Sequence, residues 1–269
     1  MEFLDLPKYP GKPRKQGLTG SFDLFMTVNQ VKDLLSLSAN VIDYTKFIHI
    51  GLAFEDELPD GWLQEKLALY RDNDVLTYPG GVPYQVALVQ DKVEAYFDWV
   101  KAVGFDGVEL AEDAMGFRAT DDAMRDDHIK MALDKGLFVD TELGKKNPEA
   151  PLDLDYARDT ILSDIELGVS HVAIERSELD TYADNPAPLV NLVNTVGMEN
   201  LWIEPNPFGW PKYHNWVFTH LGPHSNVNNI LPSEVMYVHL ARIGFARFGN
   251  FRYFDAFEEK YAGTSSAAE

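Results

Sequence analysis

Two hydrophobic rhythms alternate along the chain: short β-rich runs, and longer stretches in which apolar side chains return every three or four residues. The runs predict strands at Leu18–Asp23, Val41–Ile48, Val75–Tyr78, Gly107–Leu110, Leu137–Thr141, His171–Glu175, Leu201–Glu204 and Ser225–Asn228. The stretches between them predict helices over 28–38, 60–72, 91–103, 120–136, 153–168, 184–196, 210–220 and 232–244. Asp121, Asp153 and Ser233 stand where helix N-caps are wanted. Within 91–103, Val93, Tyr96, Phe97 and Val100 share one face while Asp91, Lys92, Glu94 and Asp98 stay in water, so this helix covers a sheet.

Strand, helix, strand in strict order with short connections requires parallel pairing and right-handed crossovers. Eight such units in about 230 residues predict an α/β fold of the closed (β/α)8 TIM-barrel type. The barrel is expected as a single domain over residues 18–250, after a polar leader, 1–17, and before an aromatic and acidic tail, 251–269. An open doubly wound sheet is the competitor. When it binds nucleotides it usually carries a glycine-rich turn after its first strand, where this chain has Leu24-Phe25-Met26.

Composition narrows the partners. The chain has 269 residues, with 23 Lys and Arg against 43 Asp and Glu, a formal charge of −20. Such a field repels nucleic-acid backbones and anionic membranes, and the nearest basic stretch, Lys8 to Lys15, is short. Cysteine is absent, so disulfides, thiolate metal sites and Cys nucleophiles are excluded, and any metal must take oxygen or nitrogen ligands. No apolar run reaches membrane-span length, and the first residues lack the basic and apolar regions of a signal peptide. A cytoplasmic protein acting on a small molecule, with neither nucleic acid nor membrane as partner, is expected; so is a homo-oligomer, with the aromatic stretch Pro205 to Trp216 as a lid, pocket wall or subunit contact.

The chemistry gathers at strand ends. Gly104 to Glu109, Gly136 to Glu142, Gly168 to Glu175 and Leu201 to Glu204 each run into a β segment that ends in glutamate, the first three from a glycine helix stop. Glu109, Glu142, Glu175 and Glu204 are therefore expected to converge at one mouth of the barrel, where they would repel one another without a cation. Oxygen-only ligands favour Mg2+, or Mn2+, over Zn2+; the alternative is that each glutamate salt-bridges a neighbouring loop. Lys145 and Lys146, just past Glu142, offer an ammonium to the mouth, and Lys46 inside the second run offers another. Lysine beside a hard cation suits chemistry through an enolate, although Lys46 could instead pair with Asp43 or Asp23. His49 is an acid–base candidate, with a packed histidine as the alternative. Asn226 and Asn229 follow the eighth run, where such barrels often bind phosphate; turn chemistry is their other reading.

Lys12-Pro13-Arg14 with Gly17-Leu18-Thr19 and Asp23, Asp43-Tyr44-Thr45-Lys46-Phe47, Tyr78-Pro79-Gly80-Gly81, Gly104-Phe105 through Val108-Glu109, and Glu142-Leu143-Gly144-Lys145-Lys146 together resemble the phosphosulfolactate synthase family. The similarity continues more weakly through Glu175, Glu204 and Gly222-Pro223 to Asn226 and Asn229, covering roughly 12–245. The resemblance implies a TIM-barrel lyase that adds sulfite to phosphoenolpyruvate with Mg2+, forming a carbon–sulfur bond on the way to coenzyme M. It implies that a lysine of the Gly-Lys-Lys motif, carried here to Lys145 and secondarily to Lys146, protonates the enolate carbon. It also places Asp23, Asn226, Asn229, Arg176 and Arg242 around an anionic substrate. The chain departs from the family pattern after Lys46-Phe47, where Ile48-His49-Ile50-Gly51 replaces Gly-Trp-Gly. Arg176 is displaced by one position, and Ala246 stands in place of a second arginine. These departures favour two alternatives: a homologue with a less anionic substrate, of enolate isomerase or aldolase type, or a non-catalytic stress or binding protein.

Overall fold

The computed structural model describes residues 3–4, 9–48, 57–112, 115, 119–205, 209–246, 252 and 254–255. Eight parallel strands form one sheet in the order β3-β2-β1-β8-β7-β6-β5-β4. They are β1 (Thr19–Asp23), β2 (Tyr44–Phe47), β3 (Leu76–Pro79), β4 (Gly107–Leu110), β5 (Phe138–Leu143), β6 (His171–Ile174), β7 (Leu201–Ile203) and β8 (Val227–Ile230). The seam between β3 and β4 is bridged rather than laddered. Asp106 N–H donates to the Thr77 carbonyl at 2.9 Å, the Asp106 carboxylate accepts from Thr77 N–H and Oγ1, and higher up Gly81 N–H reaches Glu109 at 2.7 Å. The result is the (β/α)8 TIM barrel, in a single domain, that the alternation predicts.

The helices described are α1 (Val28–Ser38), α2 (Trp62–Arg71), α3 (Val82–Val89), α4 (Val93–Val103), α5 (Asp122–Asp134), α6 (Leu154–Leu167), α7 (Arg176–Thr181), α8 (Ala187–Val196), α9 (Lys212–His220) and α10 (Val235–Arg242). Their starts follow from sequence. Thr27 and Gln30 exchange side-chain to backbone hydrogen bonds in a capping box, Asp121 accepts from Met124 N–H, and Asp153 accepts from Asp155 and Tyr156 N–H. Ser233 does not cap α10: the cap position is Glu234, whose side chain makes no capping bond. Two helices escape the periodicity. α3 is apolar nearly all round, and α7 is short and begins at the strand-end Glu175.

A continuous apolar layer lies between strands and helices, with Val108, Val139, Val172 and Ile203 packed in the same cluster as Ile129, Ile161, Val193 and Val238. Inside the barrel the filling is aromatic and polar. Tyr44 makes edge contacts with Phe138, His171 and Trp202, while Asp140 accepts from Trp202 Nε1 at 2.9 Å and lies 3.1 Å from His171 Nδ1. This plug closes the lower barrel and leaves the C-terminal ends of the strands to carry the chemistry. At β8 the register slips: Thr19 pairs with Val227 but Ser21 with Ile230, and Asn229 takes up the extra residue with φ +58°.

Candidate active site

Lys46 sits on β2, between apolar flanks, and its stem runs up the barrel interior. Its Nζ lies 2.5 Å from Glu109 Oε1 on β4 and 2.8 Å from Glu204 Oε1, just past β7. Those strands are not neighbours, so the three side chains meet across the lumen; each residue is less than 5% exposed. Burial alone lowers the ammonium's pKa. Glu109 and Glu204, helped by Tyr78 and Glu142, more than reverse this and hold Lys46 well above its ordinary range. The pairing with Asp43 or Asp23 weighed from the sequence is not what forms.

Glu204 has the opposite problem. Burial raises its pKa, Lys46 lowers it, and Glu109 and Glu175 raise it again, leaving it at about 7. Around it stand Glu142 and Glu175, and one carboxylate oxygen from each of Glu142, Glu175 and Glu204 lies within 4.8 Å of the other two. Glu109 is placed differently from the other three strand-end glutamates: its oxygens face Lys46 and the N–H of Gly81.

The turn after β5 brings the second ammonium. Gly144 holds φ +109°, and a Cβ there would come within 2.5 Å of Glu178 Cγ and 3.1 Å of Glu175 Cβ, so the segment passes β6 only because it is glycine. Beyond it, Lys146 Nζ lies 3.5 Å from Glu175 Oε2. Lys145, the residue the resemblance favours, is exposed and meets the site through its backbone N–H, which donates to Glu178 Oε1 at 3.0 Å. The Lys146 ammonium thus lies at Glu175, one of the clustered carboxylates, while the charge of Lys145 bears on Glu178. The strand-end carboxylates Glu109, Glu142, Glu175 and Glu204 outnumber the two ammonium groups, Lys46 and Lys146, an imbalance that a cation would relieve.

Several sequence candidates lie elsewhere. Asp23 ends β1 but faces outward: its carboxylate takes Lys66 Nζ at 2.7 Å and Tyr70 OH at 3.2 Å, both from α2, so it ties strand to helix. Asn226 precedes the observed β8, at the base of the barrel, where its amide bonds Leu18 N–H and the carbonyls of Met198 and Leu201. Arg242 is also at the base, buried, donating to the carbonyls of Pro223, Ser225 and Leu18. There the leader packs across it, with Arg14 3.2 Å from Asp43 and 4.3 Å from the centre of the Tyr9 ring. Asp23, Asn226 and Arg242 thus join framework elements, and for Asp23 strand alternation in a sheet buried on both faces does not say which face is the lumen. Arg176 is on the mouth side but pairs with Asp180 within its own helix. Asn229 sits at the β8 bulge, its N–H bonded to Asn228 Oδ1. His49 lies outside the described residues.

The sequence reading passed over Glu178, a buried carboxylate in the first turn of α7, and the lumenal pair Tyr78 OH and Asn228 Nδ2, 2.7 Å apart. An acidic residue in a first helical turn is ordinary chemistry, so spacing alone does not single out Glu178. Asn228 could have been found from its spacing: it stands two residues beyond Asn226, one alternation closer to the mouth.

Comparison with known proteins gives a consistent picture. A family model described as (2R)-phospho-3-sulfolactate synthase (ComA) matches residues 7–247. The phosphosulfolactate synthase of Methanothermobacter thermautotrophicus is 30% identical over 254 residues, spanning 90% of this chain and 94% of the relative. That of Methanocaldococcus jannaschii is 29% identical over 166 residues, 61% of this chain and 64% of the relative. Among solved structures, the YdjI aldolase of Escherichia coli K12 superimposes with a TM-score of 0.56 at 14% identity, covering 95% of this chain and 94% of the aldolase; at that identity the likeness speaks for the fold alone.

Proposed function

The chain belongs to the (2R)-phospho-3-sulfolactate synthase family of lyases, and on that premise we propose that it joins sulfite to phosphoenolpyruvate with the help of a divalent cation. One observation carries the proposal: three carboxylates, Glu142, Glu175 and Glu204, converge at the barrel mouth with an ammonium on either side, Lys46 on Glu204 and Lys146 on Glu175.

The donor set fits a hard cation, since it is all oxygen and its carboxylates outnumber the two flanking lysines. Glu142, Glu175 and Glu204 would hold the ion; when bound, Mg2+ would supply positive charge beside a substrate carboxylate on which negative charge accumulates.

Sulfite attacks the methylene carbon of phosphoenolpyruvate. The new carbon–sulfur bond uses the sulfur lone pair, and the π electrons of the double bond move onto the neighbouring carbon and its carboxylate. A proton then adds to that carbon, and the phosphate stays attached. Lys146, exposed at the rim yet within 3.5 Å of Glu175, is the group able to collect a proton from solvent and deliver it there. Lys46 is buried and held charged by two carboxylates, which suits it to fixed electrostatic support rather than proton transfer.

A less anionic substrate is the second reading, favoured by where the arginines lie: Arg242 is engaged at the base and Arg176 with Asp180. The test is incubation with phosphoenolpyruvate, sulfite and Mg2+, followed by phosphorus NMR. Appearance of a phospho-sulfolactate resonance supports the proposal, and unchanged phosphoenolpyruvate beside a protein that binds Mg2+ turns the reading to the less anionic substrate.

A further inference from the structure

The turn that carries the Gly-Lys-Lys residues is gripped from one side by the start of α7. Glu178 Oε1 accepts the N–H of Lys145 at 3.0 Å, and the backbone N–H of Leu152, at the far end of the connection to α6, also favours the ionised carboxylate. Ser177 Oγ donates to the carbonyl of Lys146 at 2.7 Å, and Ser177 N–H donates to Glu175 Oε1 at 3.3 Å. Gly144 lies directly against the Glu178 side chain, with no room for a Cβ. Glu178 is 4% exposed, and its Oε2 has no hydrogen-bond partner among the described residues. A buried carboxylate is costly unless it is put to use. Here its use is to tie the Lys145 backbone to the helix start that follows Glu175.

We propose that Glu178 is a positioning residue: its carboxylate clamps the Gly144–Lys146 turn so that the Lys146 ammonium stays over Glu175. The role in turnover rests on the function proposed above, whereas the clamp itself does not. Truncation at Glu178 frees the Lys145 N–H and lets the turn swing, so the loss falls on the step that Lys146 performs and not on substrate affinity. Burial raises the Glu178 pKa while the two backbone donors oppose that rise, in keeping with a carboxylate held by N–H groups.

The test compares Glu178→Ala and Glu178→Gln in the full chain. Hydrogen exchange at the Lys145 amide is followed by NMR, and kcat and KM are measured with phosphoenolpyruvate and sulfite. Expected are loss of Lys145 protection in Glu178→Ala, a kcat at least about tenfold lower with KM within about twofold, and recovery of most of both in Glu178→Gln, which keeps an acceptor oxygen. Unchanged Lys145 exchange in Glu178→Ala overturns the clamp, as do equal kcat losses in the two variants that follow a lowered Tm. If Glu178→Ala does not fold, Glu178→Asp serves instead: its shorter side chain draws the carboxylate away from the Lys145 N–H, so loss of Lys145 protection with a lowered kcat is expected, and wild-type protection overturns the proposal. If the wild type turns over no phosphoenolpyruvate, the exchange measurement still decides on the clamp, so failure of the substrate reading and failure of the clamp are told apart.

Discussion

Replacing Glu204 by glutamine removes one titrating carboxylate from the lumen at nearly constant volume. In the folded protein burial holds this group at about 7 against the pull of Lys46, whereas in the unfolded chain it returns to the ordinary 4.5. Between those values the folded state carries the extra proton, so its stability falls as pH rises: the contribution is complete below 4.5 and lost by about 7. At about 1.4 kcal/mol per pH unit, the wild type loses about 3 kcal/mol across the window through this one group. Glu234, which burial also raises to about 7, adds a similar slope, but it is present in both proteins and cancels in the difference. Urea unfolding followed by circular dichroism, in chelator, at steps through the window, gives the two profiles. The gap between Glu204→Gln and wild type is expected to move by about 3 kcal/mol in favour of the glutamine as pH rises, and added Mg2+ to flatten the wild-type slope by favouring the ionised carboxylate. Parallel profiles would refute the reasoning, because they would mean that Glu204 is ionised at no cost in the barrel.

The two lysines of the turn are predicted to separate. Lys146→Ala lowers kcat by at least about a hundredfold in the phosphoenolpyruvate and sulfite assay, whereas Lys145→Ala, which keeps the backbone N–H that Glu178 holds, stays within about fivefold of wild type; the reverse ranking would return the proton donor to Lys145. Arg242→Ala removes three hydrogen bonds at the barrel base and takes the buried Ser225 carbonyl's donor away, at about 1–3 kcal/mol for that group, so thermal unfolding is expected to show a lower Tm with KM for phosphoenolpyruvate unchanged. A raised KM with an unaltered Tm would put Arg242 back among the substrate ligands.

Most of the barrel can be read from the sequence, because its signal is repeated. A glycine stop, a β run and a terminal glutamate recur in successive units, and each repeat supports the next; β4 is placed residue for residue, and the other strands within a few residues. The depth of a polar residue within a strand is far less legible. β1 reads Thr-Gly-Ser-Phe-Asp, and with both faces of a barrel strand buried nothing local says that Gly20 and Phe22 face the lumen while Asp23 faces α2. Asn226 lies at the base because β8 begins only at Val227, one residue after it, and Arg242, at the end of the last helix, is at the base too, since helices run back to where strands begin. The site is legible in kind but not in partition. Sequence brings four glutamates to one end; only the structure reveals that Lys46 and Gly81 take Glu109 while Glu142, Glu175 and Glu204 face one another.

Everything chemical here depends on that last grouping holding a divalent ion. Isothermal titration of the chelator-treated protein with Mg2+ tests it directly, alongside Glu142→Gln and Glu175→Gln. The account predicts one saturable site in the wild type that either substitution weakens by at least about tenfold. Equal Mg2+ affinity in all three proteins would contradict it.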